Sequence, residues 1–225
     1  MKTSDSQSIG KSMIRPSRRS MLSRAARVLG ACALAAAVAG PLAALAPEPE
    51  PVPRRWQLEI EPGELRMTTV TLDKLGPRRF YSMTYKVINN SGQDLLFAPA
   101  FDLADGRGQV IRSGRDVPAA VTSQLLEDAR NPFIQDQIGI IGEIRQGQEN
   151  AKDGLIVWPA TSLAPAEITI YVGGLSGETA TVSSADGKAR FVLRKSLKLD
   201  FGAPGDLTTQ PNHAFPLEAR AWIMR

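Results

Sequence analysis

The chain has 225 residues, a length that suits one domain or at most two. Its formal charge of +4 belongs to the leading segment: residues 1–46 hold seven Lys and Arg against one acid, leaving 20 basic and 22 acidic side chains in residues 47–225. The body has no net basic excess from which to build a nucleic-acid-binding face, so that partner is set aside. The only cysteine, Cys32, lies in the same leading segment, which excludes a disulfide framework, a thiolate metal site and a cysteine nucleophile from the body.

Residues 1–46 read as a signal peptide or N-terminal anchor. A long basic head precedes the uncharged run VLGACALAAAVAGPLAALA at 28–46, and small residues close it. Cleavage candidates follow Ala39, in Ala37-Val38-Ala39, and Ala46, in Ala44-Leu45-Ala46; Pro47 disfavours the second, so Gly40 is the better mature start. Cleavage is the favoured fate. Retention as an anchor ranks second, because 19 residues at about 1.5 Å rise just cross the hydrocarbon layer but Pro41 breaks the run. Lipidation at Cys32 ranks third: Leu29-Gly30-Ala31-Cys32 resembles a lipobox, yet the apolar stretch continues past the cysteine. Ser17-Arg18-Arg19-Ser20-Met21-Leu22 resembles the twin-arginine export motif, with Met where Phe is usual and no Lys after Leu22. An Arg-rich head of an ordinary signal competes with that reading, and Arg18 and Arg19 bear on route rather than activity.

PEPEPVP opens the segment 47–55, a Pro-rich spacer whose prolines favour an extended, stiff polyproline conformation. From there 56–225 reads as a single β-sandwich domain. Trp56, Leu58 and Ile60 alternate with Gln57, Glu59 and Glu61 until Pro62-Gly63 supplies turn chemistry. A second run spans 65–72. Tyr81, Met83, Tyr85 and Val87 alternate with Ser82, Thr84 and Lys86, and Asn89-Asn90-Ser91-Gly92 turns the chain. Runs at 95–103 and 108–113 follow. Residues 114–152 form a helical and loop excursion: Val121, Leu125 and Leu126 recur at helical spacing within 118–130, Asn131-Pro132 stops them, and QGQENAKDG forms a polar tail. Phe133, Ile138, Ile140, Ile141 and Ile144 are expected to cap one open end of the sandwich. Strands resume at 154–158 and at Ile168, Ile170 and Val172. Phe191, Leu193, Leu197, Leu199 and Phe201 share one parity; Lys195 interrupts them and is expected at a bulge or an exposed edge. The last run is 217–224. Around nine short strands without βαβ alternation predict an all-β antiparallel sandwich.

The motifs of chemistry are sparse. His213, the single histidine, sits in the loop-like QPNHAFP, and no Gly-X-Ser-X-Gly occurs. One histidine and no body cysteine leave zinc and copper without their usual ligands. Asp102 and Asp105 in FDLADGRG are the best carboxylates for a cation, but Arg107 stands where an EF-type loop needs a further ligand, and Asp with Gly is also hairpin chemistry. VGGLSGE at 172–178 is glycine-rich after a strand, but a strand-like Thr179–Val182 follows rather than the helix a phosphate cradle needs. No catalytic residue, metal site or cofactor is assigned.

Arg55-Trp56, the run Tyr85 to Gly92, Phe97-Ala98-Pro99, Gly114 to Pro118, Gly147 to Ala151, Gly154 to Pro159, Gly174 to Glu178, Leu193 to Leu197 and the closing Trp222 to Arg225 together carry a resemblance. Over most of 55–225 the chain resembles uncharacterised exported bacterial proteins of immunoglobulin-like β-sandwich type. The resemblance implies an immunoglobulin-like fold and an envelope or periplasmic address; it carries over no catalytic residue. The expected role is a non-enzymatic binding or structural accessory in the envelope, with another envelope protein or a cell-wall polymer as partner, 114–152 as the contact surface, and membrane contact only through an uncleaved leader. The alternative is a twin-arginine-exported protein that holds a metal or small cofactor through carboxylates, Asp102 and Asp105 first.

Overall fold

A computed structural model of the chain describes residues 46–73, 75–161, 167–202 and 212–225. All of them lie in the compact unit Ala43–Arg225. The leader positions Arg18, Arg19, Cys32 and Ala39 lie outside the described residues, and Ala46 is the first residue inside them. Among the described residues no helix is long and apolar enough to cross a membrane.

In chain order the elements are β1 (Glu59–Leu72), β2 (Gly76–Asn89), β3 (Leu95–Phe97), β4 (Ala100–Asp105), β5 (Val110–Arg112), α1 (Ala119–Asp128), β6 (Gly142–Ile144), β7 (Gly147–Pro159), β8 (Ile168–Gly173), β9 (Thr179–Ser183), β10 (Arg190–Phe201), β11 (His213–Phe215) and β12 (Leu217–Met224). One antiparallel sheet has the order β11-β1-β2-β7. A second has the order β12-β10-β8-β4-β5, with β9 also paired to β10, and β3 with β6 forms a small ribbon. The inward parity of each sheet is apolar: Leu65, Met67, Tyr81, Met83, Ile156 and Trp158 from the first meet Phe101, Leu103, Ile170, Val172, Leu197 and Leu199 from the second in one core. That face-to-face closure is a β-sandwich.

The helix makes a third layer over part of one sheet. Val121 and Leu125, four residues apart and so on one helical face, bury against Val70, Phe80, Leu155 and Val157 on the outer side of the first sheet. These outward positions on β1, β2 and β7 are apolar where the helix lies and polar where it does not.

Several sequence expectations change. Pro62-Gly63 is a β-bulge inside one 14-residue strand rather than a turn between two, because the pairing of β1 with β2 shifts between Pro62 and Leu65 and then resumes. The backbone can approach there because Gly63 has no Cβ to meet the Thr84 hydroxyl. Ala98-Pro99 divides the run 95–103, turning β3 away to pair with β6 while β4 joins β8. The polar tail QGQENAKDG is the first half of β7, paired with β2 through Val87↔Lys152 and Asn89↔Gly147. Its half-buried polar side chains gave no alternation to read. His213 lies on the edge strand β11, opposite Met67, and not in a loop. Of the excursion's aliphatics, Ile140 and Ile144 are fully buried in the main core while Phe133, Ile138 and Ile141 are exposed.

Lys195 is the largest departure. It sits neither at a bulge nor at an exposed edge but in the middle of β10, 2% exposed. Its Nζ pairs with Glu178 Oε2 at 2.8 Å, donates to the Glu50 carbonyl at 3.1 Å, and stands 5.5 Å from the Trp222 ring centroid. Glu178 Oε1 in turn accepts the Glu50 N–H at 2.8 Å. The proline spacer is thus drawn onto the sandwich at Glu50. Beyond it, Leu58 N–H donates to Leu175 O and Gly177 N–H to Trp56 O, which fixes the start of β1 beside the end of β8.

A candidate binding groove on the open half of the first sheet

The outer side of the first sheet is divided by what covers it. Along the outward parity of β1, Arg66 and Thr68 give way to Val70 and Leu72; on β2, Ser82, Thr84 and Lys86 face Phe80. α1 needs an apolar seat and takes the Val70–Phe80 half. The polar half stays open beside the C-terminal turn of the helix.

There a groove of about 490 Å³ is floored by Thr68, Ser82 and Thr84 and walled by Arg66, Leu125, Asp128 and His213. A second hollow of about 400 Å³ shares Thr84 and Ala129 with it and runs on to Glu61, Lys86, Asn131 and Asp153. Inside this pair of hollows several polar groups are engaged with one another. Arg66 pairs with Glu64, Lys86 Nζ lies 3.2 Å from Asp153 Oδ1, and Asn131 Nδ2 donates to Asp153 Oδ2 at 3.0 Å. The four carboxylates Glu61, Glu64, Asp128 and Asp153 outnumber the cations Arg66 and Lys86, and the carbonyl end of α1 adds partial negative charge on the same side. Hydroxyls over a mildly acidic wall suit a ligand rich in hydrogen-bond donors.

His213 is not assembled into a nucleophile–base pair among the described residues. The His213 ring packs edge-on to Phe215, with 5.2 Å between centroids, and among the described residues no hydroxyl or carboxylate is hydrogen-bonded to it. No group of three or more ligating His, Cys, Asp or Glu side chains converges among the described residues.

The structure separates Asp102 and Asp105. Asp102, on β4, takes Arg112 Nε at 3.0 Å and an Arg225 guanidinium nitrogen at 3.2 Å, and that guanidinium stacks 4.3 Å above Tyr171. Asp105 closes the β4–β5 hairpin: its Oδ1 accepts the Arg107 and Gln109 N–H groups at 3.2 and 3.0 Å. Their carboxylates serve an ion-pair network and a turn, and nothing brings the two together. Glu178 is one of the carboxylates whose surroundings shift their pKa. Burial alone raises its pKa, but the Lys195 ammonium and the Glu50 N–H outweigh that and hold it below the ordinary range.

Sequence reasoning did not find the groove residues Arg66, Thr68, Ser82 and Thr84. A signal existed: the outward parity of β1 and β2 switches from polar to apolar partway along each strand. Comparison with protein-family profiles, curated proteins and solved structures returns no match to this chain.

Proposed function

We propose that this chain is an exported envelope protein whose sandwich acts by binding, and that the groove beside α1 is its contact surface. The observation that carries the reading is a sheet face only half covered, with hydroxyls and charges lining a concave trough beside the end of α1. Export rests on the leader: a basic head, an apolar run and Ala-X-Ala sites. The absence of cysteine from the body fits either compartment and decides nothing.

The finer fold reading is immunoglobulin-like. Taking β1, β2, β4, β5, β7, β8 and β10 as strands A, B, C, C′, E, F and G, the observed neighbours give A-B-E in one sheet and G-F-C-C′ in the other. α1 takes the place of the D strand in chain order only: it packs on the outer face of the A-B-E sheet while Gln135 bridges the free edge of β7, and β11 and β12 extend the sheets at their A and G edges. The trough lies where α1 leaves the outer face of that sheet uncovered.

A photo-crosslinking amino acid at Thr68, with a control at Arg112 on the other sheet, tests the reading in living cells. The expected result is a discrete adduct at Thr68, recovered in the envelope fraction and identified by mass spectrometry as protein or polymer. No adduct at Thr68, or the same adduct at both positions, removes the groove as a binding surface. Recovery of the chain in the cytoplasm with residues 1–46 intact removes export.

A further inference from the structure

We propose that the end of the sandwich carrying Trp56 rests on an anionic lipid surface, through the overhanging β9–β10 hairpin. The pairing puts several features at that one end. β10 pairs with β8 only from Leu197 to Phe201, while Arg190–Arg194 pair with β9 beyond the last residues of β8. Five residues at about 3.3 Å each make an arm that reaches roughly 16 Å past the sheet. A two-stranded ribbon of this kind buries neither face fully. It exposes Phe191 and Val192, 53% and 60%, on opposite faces.

The charge of the arm is one-sided. Lys188, Arg190 and Arg194 are exposed, and Arg55 is exposed beside the root of β9. Among the nearby acids Glu178 is paired with Lys195 and Glu50 with Arg54 at 2.9 Å, while Asp186, held in the hairpin turn by the Ser184 hydroxyl and the Lys188 N–H, keeps its charge against Lys188, Arg190 and Arg194. Exposed Glu48 and Glu59 lie near its root, and Asp94 and Glu143 are exposed at the β3–β6 ribbon, so the basic excess belongs to the arm itself. Edge residues of this type normally discourage a second strand, and like charges on a second copy would oppose self-pairing. Exposed apolar side chains among cations are instead the composition of a segment that lies in a headgroup layer.

Position supports the same occupant. Residues 46–58 join the sandwich at this end, held by Glu178 and Lys195 and by the pairing of Trp56–Leu58 with Leu175–Gly177. On the same end, Leu96 and Ile141 lie exposed at the β3–β6 ribbon. The contact does not require the leader to remain attached, and it is separate from the groove on the sheet face.

The test uses the full chain with Cys32→Ser and a single reporter cysteine, Val192→Cys on the arm or Leu75→Cys in the β1–β2 turn at the opposite end. Each is labelled with an environment-sensitive fluorophore and mixed with vesicles of phosphatidylcholine alone or with one quarter phosphatidylglycerol. The expected result is a blue shift at position 192 with the anionic vesicles, weak with phosphatidylcholine and absent at position 75. Each basic side chain near an anionic surface contributes about fivefold. Arg190→Glu with Arg194→Glu, both exposed and so harmless to the core, thus lowers the partition constant onto the anionic vesicles about twentyfold or more. An aqueous spectrum at 192 overturns the proposal, as does an equal response at 75 or a response indifferent to lipid charge and to the two reversals.

Discussion

Lys195 and Glu178 are unequal members of one pair, and the inequality sets what each substitution does. Lys195 is almost wholly buried, whereas the Glu178 side chain keeps 16% of its surface in solvent and has the Glu50 N–H besides. Glu178→Gln leaves an ammonium in the core without its counter-charge, which costs about 3 kcal/mol. Lys195→Met leaves a carboxylate that can still meet water and keeps the apolar stem, so about 1 kcal/mol is expected. Denaturant unfolding of the two variants and their double checks this; the double should cost less than the two singles together. The pair is also acid-sensitive. Because the folded pKa of Glu178 is depressed, its contribution is present above the ordinary carboxylate pKa and is lost as pH falls through the folded value.

Among the elements, α1 depends most visibly on two side chains. No side chain caps its N-terminus, where Pro118 precedes it, and no basic residue occupies its last turn. What holds it is the seating of Val121 and Leu125 on Val70, Phe80, Leu155 and Val157. Leu125→Ala should therefore cost about 3 kcal/mol and loosen the wall of the groove with it. Faster amide exchange in 119–128 than in β2 would register the change, and unaltered exchange would contradict it. The helix was legible in the sequence because the Val121–Leu125 spacing and the Asn131-Pro132 stop are local signals. The bulge at Pro62-Gly63 was not, since a Pro-Gly pair reads as a turn unless the partner strand is known. The groove was half legible: the switch of outward parity on β1 and β2 is in the sequence, but only the placement of α1 gives it meaning. Lys195 misled because a lysine among alternating apolars looks like an edge, and its counter-charge lies 17 residues away across a hairpin.

For the whole molecule, stability at high pH is set by the buried phenols of β2. Tyr81 and Tyr85 are each 3% exposed. Burial is the main cause that pushes Tyr81 up to about 12, with Asp105 adding to it and Arg107 opposing; burial alone raises Tyr85 further. Above the unfolded value of 10.0 the unfolded chain sheds these protons while the folded chain keeps them, so the folded state binds more protons and stability falls with pH. The loss begins near 10 and continues through about 12. At one pH unit above the unfolded value each such tyrosine withdraws about 1.4 kcal/mol. Urea midpoints measured from neutral pH upward should hold level and then drop in that window. A flat profile would mean that the two rings ionise as readily folded as unfolded.

The docking of Glu50 has a mechanical side. Two neighbouring residues of β10 take up both termini of the described fold: Arg194 exchanges backbone hydrogen bonds with Arg225, and Lys195 holds the Glu50 carbonyl while its counter-ion holds the Glu50 N–H. β10 is an interior strand, gripped by β8 on one side and β12 on the other. Tension applied through the leading segment is therefore delivered first to a short polar latch at the root of the β9–β10 arm, where β12 begins to pair with β10. Trp56 and the start of β1 are loaded only after that latch opens. Two hydrogen bonds hold Glu50 there against the whole ladder of β1 pairing behind it, so the latch is expected to yield before the core does.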